Sequence, residues 1–354
     1  MKNWKIPFDE PNIPSDLLQA GFPPLLASIL ALRGIKTAEQ ARQEYGDAPV
    51  LFDPLLMEDM QKARDRILLA IQRKERVAVY GDYDVDGITA TCLLSDYLIR
   101  RGLFCERHIP NREDEGYGLN SAALDEFKAS GISLVITVDC GITAFEEAVH
   151  AKEIGIDLIV TDHHECPAND FPDAVAVVDM KRSCDIYPNK NLAGVGVAFK
   201  LVCACEGSSE LPLRLYSDLV AIGTVSDVMS LRGENRYLVR TGLDLINHSP
   251  RPWIRAVLGE NYSDRRSITA GTIGYTIAPR LNAAGRLGRA EIALHLLSSE
   301  DPEEVSELAS SLIKLNEERR QIEQKIWQEA LAALGPDSPS PPIVLAGDDW
   351  NQGV

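Results

Sequence analysis

From Arg76 onward, short apolar runs alternate with longer stretches whose apolar positions recur at helical spacing. The runs at 76–82, 103–109, 133–139, 157–162 and 174–179 are rich in Val, Ile and Leu and read as strands. The stretches at 89–101, 120–130 and 143–154 read as helices, and a further helix over 59–73 carries Ala63, Ile67 and Ala70 on one face. Strand and helix in alternation predict an α/β fold, a parallel β-sheet with helices on both faces. In such sheets ligands bind beyond the carboxyl ends of the strands.

The flanks differ in pattern. Residues 1–60 form an N-terminal helical extension, with apolar positions in LLASILALRG and a polar AEQARQEY stretch, closed by Pro49 and Pro54. Residues 61–300 hold the α/β domain. At 301–334 a long C-terminal connecting helix is expected, with Asp301 as N-cap, Pro302 at the first helical position, and Val305, Leu308, Leu312, Leu315, Ile322 and Ile326 at helical spacings. Glu317, Glu318, Arg319 and Arg320 interrupt the apolar stripe, so a connector fits better than a dimerising coiled coil. Residues 335–354 read as a linker, GPDSPSPP, followed by a strand at 343–345 that opens a second, truncated domain.

Three carboxylates crowd the end of the first strand. Val77 to Tyr80 runs into Gly81-Asp82-Tyr83-Asp84-Val85-Asp86-Gly87, with a helix beginning near Thr89. If the strand continued, Asp82, Asp84 and Asp86 would share one side, and Gly81 and Gly87 would permit the turn. Like charges so close repel unless a cation lies between them, so the alternatives are a solvated acidic turn and a divalent-metal site. The other strands decide in favour of metal, because they end in Asp139-Cys140-Gly141, Asp162-His163-His164-Glu165 and Val178-Asp179. Acidic residues and adjacent histidines thus collect at the edge where ligands bind.

Charge and composition limit the partners. The chain has 36 basic and 53 acidic residues, a net charge of −17, which argues against coating a nucleic acid by bulk charge. It leaves a nuclease open, since carboxylates that hold cations count as negative until the cations bind. An apolar content of 45% is that of an ordinary globular protein. No apolar run of about 18 residues is present, and MKNWKIPFDEPNIP lacks a signal pattern, so no membrane association and a cytoplasmic location are expected. The seven cysteines contain no CxxC pair, which argues against a disulfide framework or a zinc knuckle.

GDYDVDG, VDCG and TDHH, in this order, resemble the first three motifs of the DHH phosphoesterase superfamily, and AIGTVSDVMSL (221–231) resembles the fourth. NLAGVGVAFKL (191–201) and PRLNAAGRLG (279–288) are similar to segments of its RecJ branch of single-strand exonucleases. The resemblance implies two divalent cations, Mn2+ or Mg2+, held by Asp84, Asp86, Asp139, His163 and Asp227, with Asp139 as a bridge. Asp82, Asp84 and Asp139 join His164 in the catalytic set, Asp82 either as a ligand or as a residue that orients one. Many members carry a histidine where Tyr80 stands here, which puts one ligand of the wider pattern in doubt.

Carboxylate, imidazole and water suit such hard cations, which neutralise an in-line phosphoryl transition state and supply hydroxide near neutral pH. His164 is expected to bind the phosphate as imidazolium or to protonate the leaving oxygen, with a buttress to His163 as the alternative. Arg280 and Arg286 are expected to bind phosphates, Gly285 to let the backbone approach, and Asn282 to donate to a substrate oxygen. The glycines of GVGVAFKL are expected to permit close packing at a helix start. The implied activity is stepwise hydrolysis of single-stranded DNA from its 5′ end in repair and recombination, by a monomer with single-strand-binding protein and a helicase as partners. One rival is a small-substrate relative, a pyrophosphatase or an oligonucleotide or cyclic-dinucleotide phosphodiesterase, which should lack segments 191–201 and 279–288. Another is a non-catalytic replication scaffold, which should have lost ligands. In the RecJ pattern DDWNQGV continues into a second domain, so weak binding to long DNA is expected of this chain alone.

Overall fold

The computed structural model describes residues 13–46, 51–111, 115–116, 118–167, 170–259, 267–334, 343–351 and 353–354. They divide into two compact units. One comprises the described residues of Met1–Leu51 together with Ser230–Tyr237, the other those of Phe52–Met229 and Leu238–Val354. In the first, helices Ser15–Gln19, Pro24–Leu32 and Ala38–Tyr45 enclose Leu17, Ala27, Leu30, Ile35 and Ala41. The last of these helices starts with a capping box between Thr37 and Gln40.

The second unit is built on five parallel strands, β1 (Arg76–Gly81), β2 (Phe104–His108), β3 (Leu134–Val138), β4 (Asp157–Thr161) and β5 (Ala176–Val178). Their order is β2-β1-β3-β4-β5. Side-chain alternation sends Ala78, Tyr80, Val135, Leu158 and Val160 to one face, where they pack with Leu124 and Phe127 of helix Ser121–Ala129 and Ala148 and Ala151 of helix Phe145–Glu153. Helices Met60–Arg73, Val85–Arg100 and Gly194–Glu206 meet the sheet as well, and between them touch all five strands. Covered on both faces, β3 is buried along its whole length, which explains its unbroken apolar run. The direction of connection reverses between β1 and β3, and this switch point opens a crevice at the carboxyl edge.

Strand limits fall within a residue or two of those expected, but two elements differ. The helix after β1 begins at Val85, four residues earlier than Thr89, because the Asp84 side chain caps it by accepting from the amides of Asp86 and Gly87. Residues 343–345 form no strand: they lack a pairing partner among the described residues, and Val344 is 88% exposed. The linker expected at 335–342 lies outside the described residues. Helix Pro302–Leu334 starts as expected, with Asp301 Oδ1 accepting from the amides of Glu303 and Glu304. Its first half buries Val305, Leu312 and Leu315 against helices Pro252–Leu258, Ala278–Arg286 and Ala290–Ser298, so this half is core as well as connector. No helix among the described residues is long and apolar enough to cross a membrane.

Candidate metal centre

Asp82, Asp84, Asp86, Asp139, His163, His164 and Asp227 come together at the carboxyl edge, above the switch point. Strand alternation is not what gathers the first three. The strand stops at Gly81, so Asp82 lies in the turn, Asp84 is the N-cap and Asp86 sits in the first helical turn. The two glycines serve close approach, since neither has a positive φ. A Cβ on Gly87 would lie 2.4 Å from the Asp82 carbonyl oxygen, and one on Gly81 would lie 2.0 Å from Thr91 Oγ1.

Asp86 has a second task. Its two oxygens accept from the backbone amides of Gly194 and Val195, at 2.6 and 2.9 Å, so it caps the helix that starts with GVGVAFKL. That helix start also presses on Asp139, because a Cβ on Gly194 would lie 2.5 Å from the Asp139 Cβ. The expected close packing of these glycines is therefore packing onto ligand-type side chains. Asp139 itself follows β3 with a left-handed backbone, φ 62°, a conformation Asp tolerates better than most residues.

Asp227 is delivered by the end of helix Glu210–Ser226. Val228 N donates to Val225 O and Met229 N to Thr224 O, the Schellman pattern, with Val228 at φ 57° where glycine is usual. One turn earlier, a Cβ on Gly223 would lie 2.8 Å from Asp86 Oδ1, so a glycine four residues before Asp227 lets this helix settle on the site. That spacing is the sequence signal by which Gly223 could have been found.

His163 Nε2 lies 3.0 Å from Asp139 Oδ1, 3.8 Å from Asp86 Oδ2 and 3.7 Å from Asp227 Oδ2. Burial, with His164 beside it, lowers its pKa to about 4, so the ring is neutral and able to ligate. His164 differs. Its Nδ1 is 2.7 Å from Asp162 Oδ1, and this hydrogen bond raises it to about 9. Asp162 is fully buried and also accepts from the amides of Ile142, His163 and His164. Burial pushes its carboxyl up, but these hydrogen bonds, His164 foremost, hold it below the usual range. The sequence marks Asp162 as the aspartate of TDHH at a strand end, but gives no sign of its role in positioning His164.

Four carboxyl groups of the centre are pushed toward their neutral form, as buried like charges are when no cation lies between them. Burial and then the Asp84 charge raise Asp82 to about 7 and Asp227 to about 6. Burial followed by neighbouring carboxylates raises Asp86 and Asp139 well above the usual range. Asp139 Oδ1 is buried and accepts no well-aligned hydrogen bond, its near neighbour being His163 Nε2 at 3.0 Å. Donor atoms fall into three groups, each within 4.8 Å: Asp139, His163 and His164; Asp86, His163 and Asp227; Asp82, Asp84 and Asp139. Asp139 belongs to two of them and His163 to two. A buried carboxylate oxygen with no well-aligned donor, raised carboxyl groups and a neutral imidazole fit hard divalent cations.

The arginine-containing segment is placed differently from its expected role. Helix Ala278–Arg286 lies against the first-motif turn: Asn282 Oδ1 accepts from Val85 N at 3.0 Å, and a Cβ on Gly285 would lie 2.1 Å from the Tyr83 carbonyl oxygen. Gly285 thus admits the protein's own backbone. Arg280, two positions from Asn282 and so on the far side of the helix, donates to the Val257 carbonyl, while Arg286 Nη1 donates to Gly353 O at 2.7 Å. Tyr80, at the position of the family histidine, is fully buried and bonds to Gly118 O and Asn120, away from the carboxylates.

A parallel sheet with a carboxylate and imidazole cluster at its switch point defines the class, and the sequence comparisons agree. The model of the DHH family, N-terminal domain, matches residues 76–224. The single-stranded-DNA-specific exonuclease RecJ of Bacillus subtilis is 42% identical over 351 residues, covering 98% of this chain and 44% of the relative. A solved RecJ exonuclease bound to manganese is 35% identical with a TM-score of 0.76, covering 86% of this chain and 76% of that one. RecJ from Thermus thermophilus in complex with Mn2+ is 31% identical with a TM-score of 0.80, covering 96% of this chain and 48% of that one. The chain belongs to the DHH family, in its RecJ branch. It spans about half the length of the curated relatives it matches.

Proposed function

We propose that this chain carries the metal-dependent phosphodiesterase centre of an exonuclease that degrades single-stranded DNA from its 5′ end. The observation that carries the reading is that both RecJ-like segments are built into the centre, through Gly194 and Val195 on Asp86 and through Asn282 and Gly285 on the Tyr83–Val85 turn. A small-substrate relative would share the ligands without these segments, and a scaffold would have lost ligands that are all present here. Relatives named single-stranded-DNA-specific exonucleases and a RecJ structure bound to manganese support the same reading.

In this mechanism Asp84, Asp86, Asp139, His163 and Asp227 hold two divalent cations, Mn2+ or Mg2+. When bound, these neutralise the phosphate and activate water near neutral pH. Asp82, raised by burial, completes the cluster beside Asp84. Asp162 fixes the His164 ring and keeps it protonated, and the side chain of His164 is 45% exposed. It is therefore placed to donate a hydrogen bond to the phosphate or a proton to the leaving oxygen. The test is release of mononucleotides from 5′-labelled and 3′-labelled single strands with manganese, beside duplex, pyrophosphate and a dinucleotide. Early release of the 5′ label from single strands alone is expected. Hydrolysis confined to pyrophosphate or dinucleotides would overturn the reading.

A further inference from the structure

We propose that Lys181 grips a phosphate of the bound single strand beside the metal centre, and that Glu165 is the partner it gives up when the phosphate arrives. The proposal rests on the nuclease reading above and names how that site holds its substrate. Strands β4 and β5 leave the sheet side by side: Thr161 is level with Val178, and Asp162 N donates to Val178 O at 3.1 Å. One segment continues as His163-His164-Glu165 and the other as Asp179-Met180-Lys181, so Lys181 rises at the carboxyl edge next to the two histidines. Its Nζ lies 3.0 Å from Oε1 of Glu165, the residue after His164. The turn that carries Lys181 is fixed. Asp179 Oδ1 accepts from Lys181 N at 2.8 Å, and Asp179 O accepts from Arg182 N. Arg182 is tied down in turn by Asp59 Oδ2, at 2.9 Å, and by the Phe171 ring, 4.4 Å from its guanidinium carbon.

The Lys181 charge acts toward the centre. Asp227, raised by burial and the Asp84 charge, is pulled back by His164 and Lys181, and His163, lowered by burial and His164, is lowered further by Lys181. The ammonium is thus within electrostatic reach of both, whose facing atoms are 3.7 Å apart. Its ion pair is no structural tie. The Glu165 side chain is 89% exposed, where water competes and such a pair contributes little, whereas Lys181 is 23% exposed and keeps its place through the turn. A lysine set by its backbone and paired with a solvated carboxylate can exchange that partner for a phosphate oxygen. The exchange answers a need of this molecule. A net charge of −17 repels a polyanion, and cations at the centre neutralise only the phosphate they hold, so the next phosphate requires a positive charge from the protein.

The test uses the 354-residue chain with Lys181→Met, Lys181→Arg and Glu165→Gln. Affinity is measured with manganese across a potassium chloride series, on a single-stranded oligonucleotide whose end linkages resist hydrolysis, and KM and kcat on a cleavable one. Lys181→Met is expected to weaken binding and raise KM by roughly three- to thirtyfold and to make the slope of log affinity against log salt shallower by about 0.7, with Lys181→Arg restoring both. Glu165→Gln should move affinity the other way, up by roughly two- to fivefold, because it removes the competitor. Two halves of a merely structural ion pair would not give opposite signs. Manganese affinity of Lys181→Met should be equal or higher, since a positive charge has left the neighbourhood of the ligands. In a series of oligonucleotides with one neutral methylphosphonate linkage, one position should bind unsubstituted protein and Lys181→Met alike. Unchanged affinity and salt slope in Lys181→Met, a loss of affinity in both Lys181→Met and Glu165→Gln, or weakened manganese binding in Lys181→Met overturns the contact. Binding with the expected signature but without cleavage would leave the contact standing and remove the nuclease reading. Unsubstituted protein that binds no single strand overturns both.

Discussion

His163 and His164 are neighbours with ring centroids 4.6 Å apart, yet burial and one hydrogen bond send their pKa values in opposite directions. Asp162 is the cause on the His164 side. Asp162→Asn removes its charge, so the alkaline limb of the rate profile, expected near 9, should move down toward about 6.5. Turnover at pH 8 should fall accordingly, and a limb that stays in place would show that His164 is not the group titrating. His164→Ala should lower turnover by roughly two to four orders of magnitude while calorimetry finds manganese affinity nearly unchanged. A loss of affinity equal to that of His163→Ala would make His164 a ligand instead. The carboxylates divide in the same way. Asp139→Asn takes one carboxyl out of a crowded, buried cluster of like groups, and should leave the chelated protein as stable or more stable, with activity abolished. Asp86→Ala should also abolish activity but lower the melting temperature in chelator, because the amides of Gly194 and Val195 lose their acceptor.

Among the elements, two helices are fitted to the centre by single residues. Gly285→Ala would set a Cβ 2.1 Å from the Tyr83 carbonyl oxygen, forcing helix Ala278–Arg286 off the turn that carries Asp82 and Asp84. A cost of about 1–3 kcal/mol and a loss of activity should appear together in melts and rate assays. Val228→Gly should do the reverse for stability, gaining about 1 kcal/mol by relieving the left-handed valine; an unchanged melting temperature would mean that the turn carries no strain. What the sequence made legible follows from range. The ligand types stood out because each sits at the end of a short apolar run, and the order of strands and helices followed from periodicity. The early start at Val85 was hidden because Asp and Gly disfavour helix interiors, and only the Asp84 cap offsets that. Asp86 as a cap for Gly194 was hidden because its partners are 108 and 109 residues away. Arg280 reads as a phosphate ligand from composition alone. Its bond to Val257 depends on how helices Pro252–Leu258 and Ala278–Arg286 face each other, which no local pattern encodes.

For the whole molecule, the centre concentrates unfavourable charge that cation binding relieves, so stability, pH and metal are linked. Asp82 at about 7 and Asp227 at about 6 lie above their ordinary 3.8. A group raised on folding stabilises fully below its unfolded pKa, and that contribution is lost as pH rises through the folded value. His164, raised from 6.5 to about 9 by Asp162, acts in the same direction. His163, lowered from 6.5 to about 4, has the opposite sign: its contribution is present above 6.5 and is lost as pH falls toward 4. Between pH 6.5 and 8 His163 is therefore nearly constant, and Asp82, Asp227 and His164, with the raised carboxyls of Asp86, Asp139 and Asp179, all tilt the slope the same way. The melting temperature in chelator should fall across that window. Manganese should reverse the slope, because it binds the deprotonated carboxylates and its apparent affinity rises as their protons leave. Calorimetric titrations in two buffers of different ionisation enthalpy should show protons released on manganese binding, more of them at pH 6 than at pH 8. Manganese affinity that does not change from pH 6 to 8, or a chelated protein that grows more stable across the window, would mean that the raised carboxylates are not the ones the cation meets.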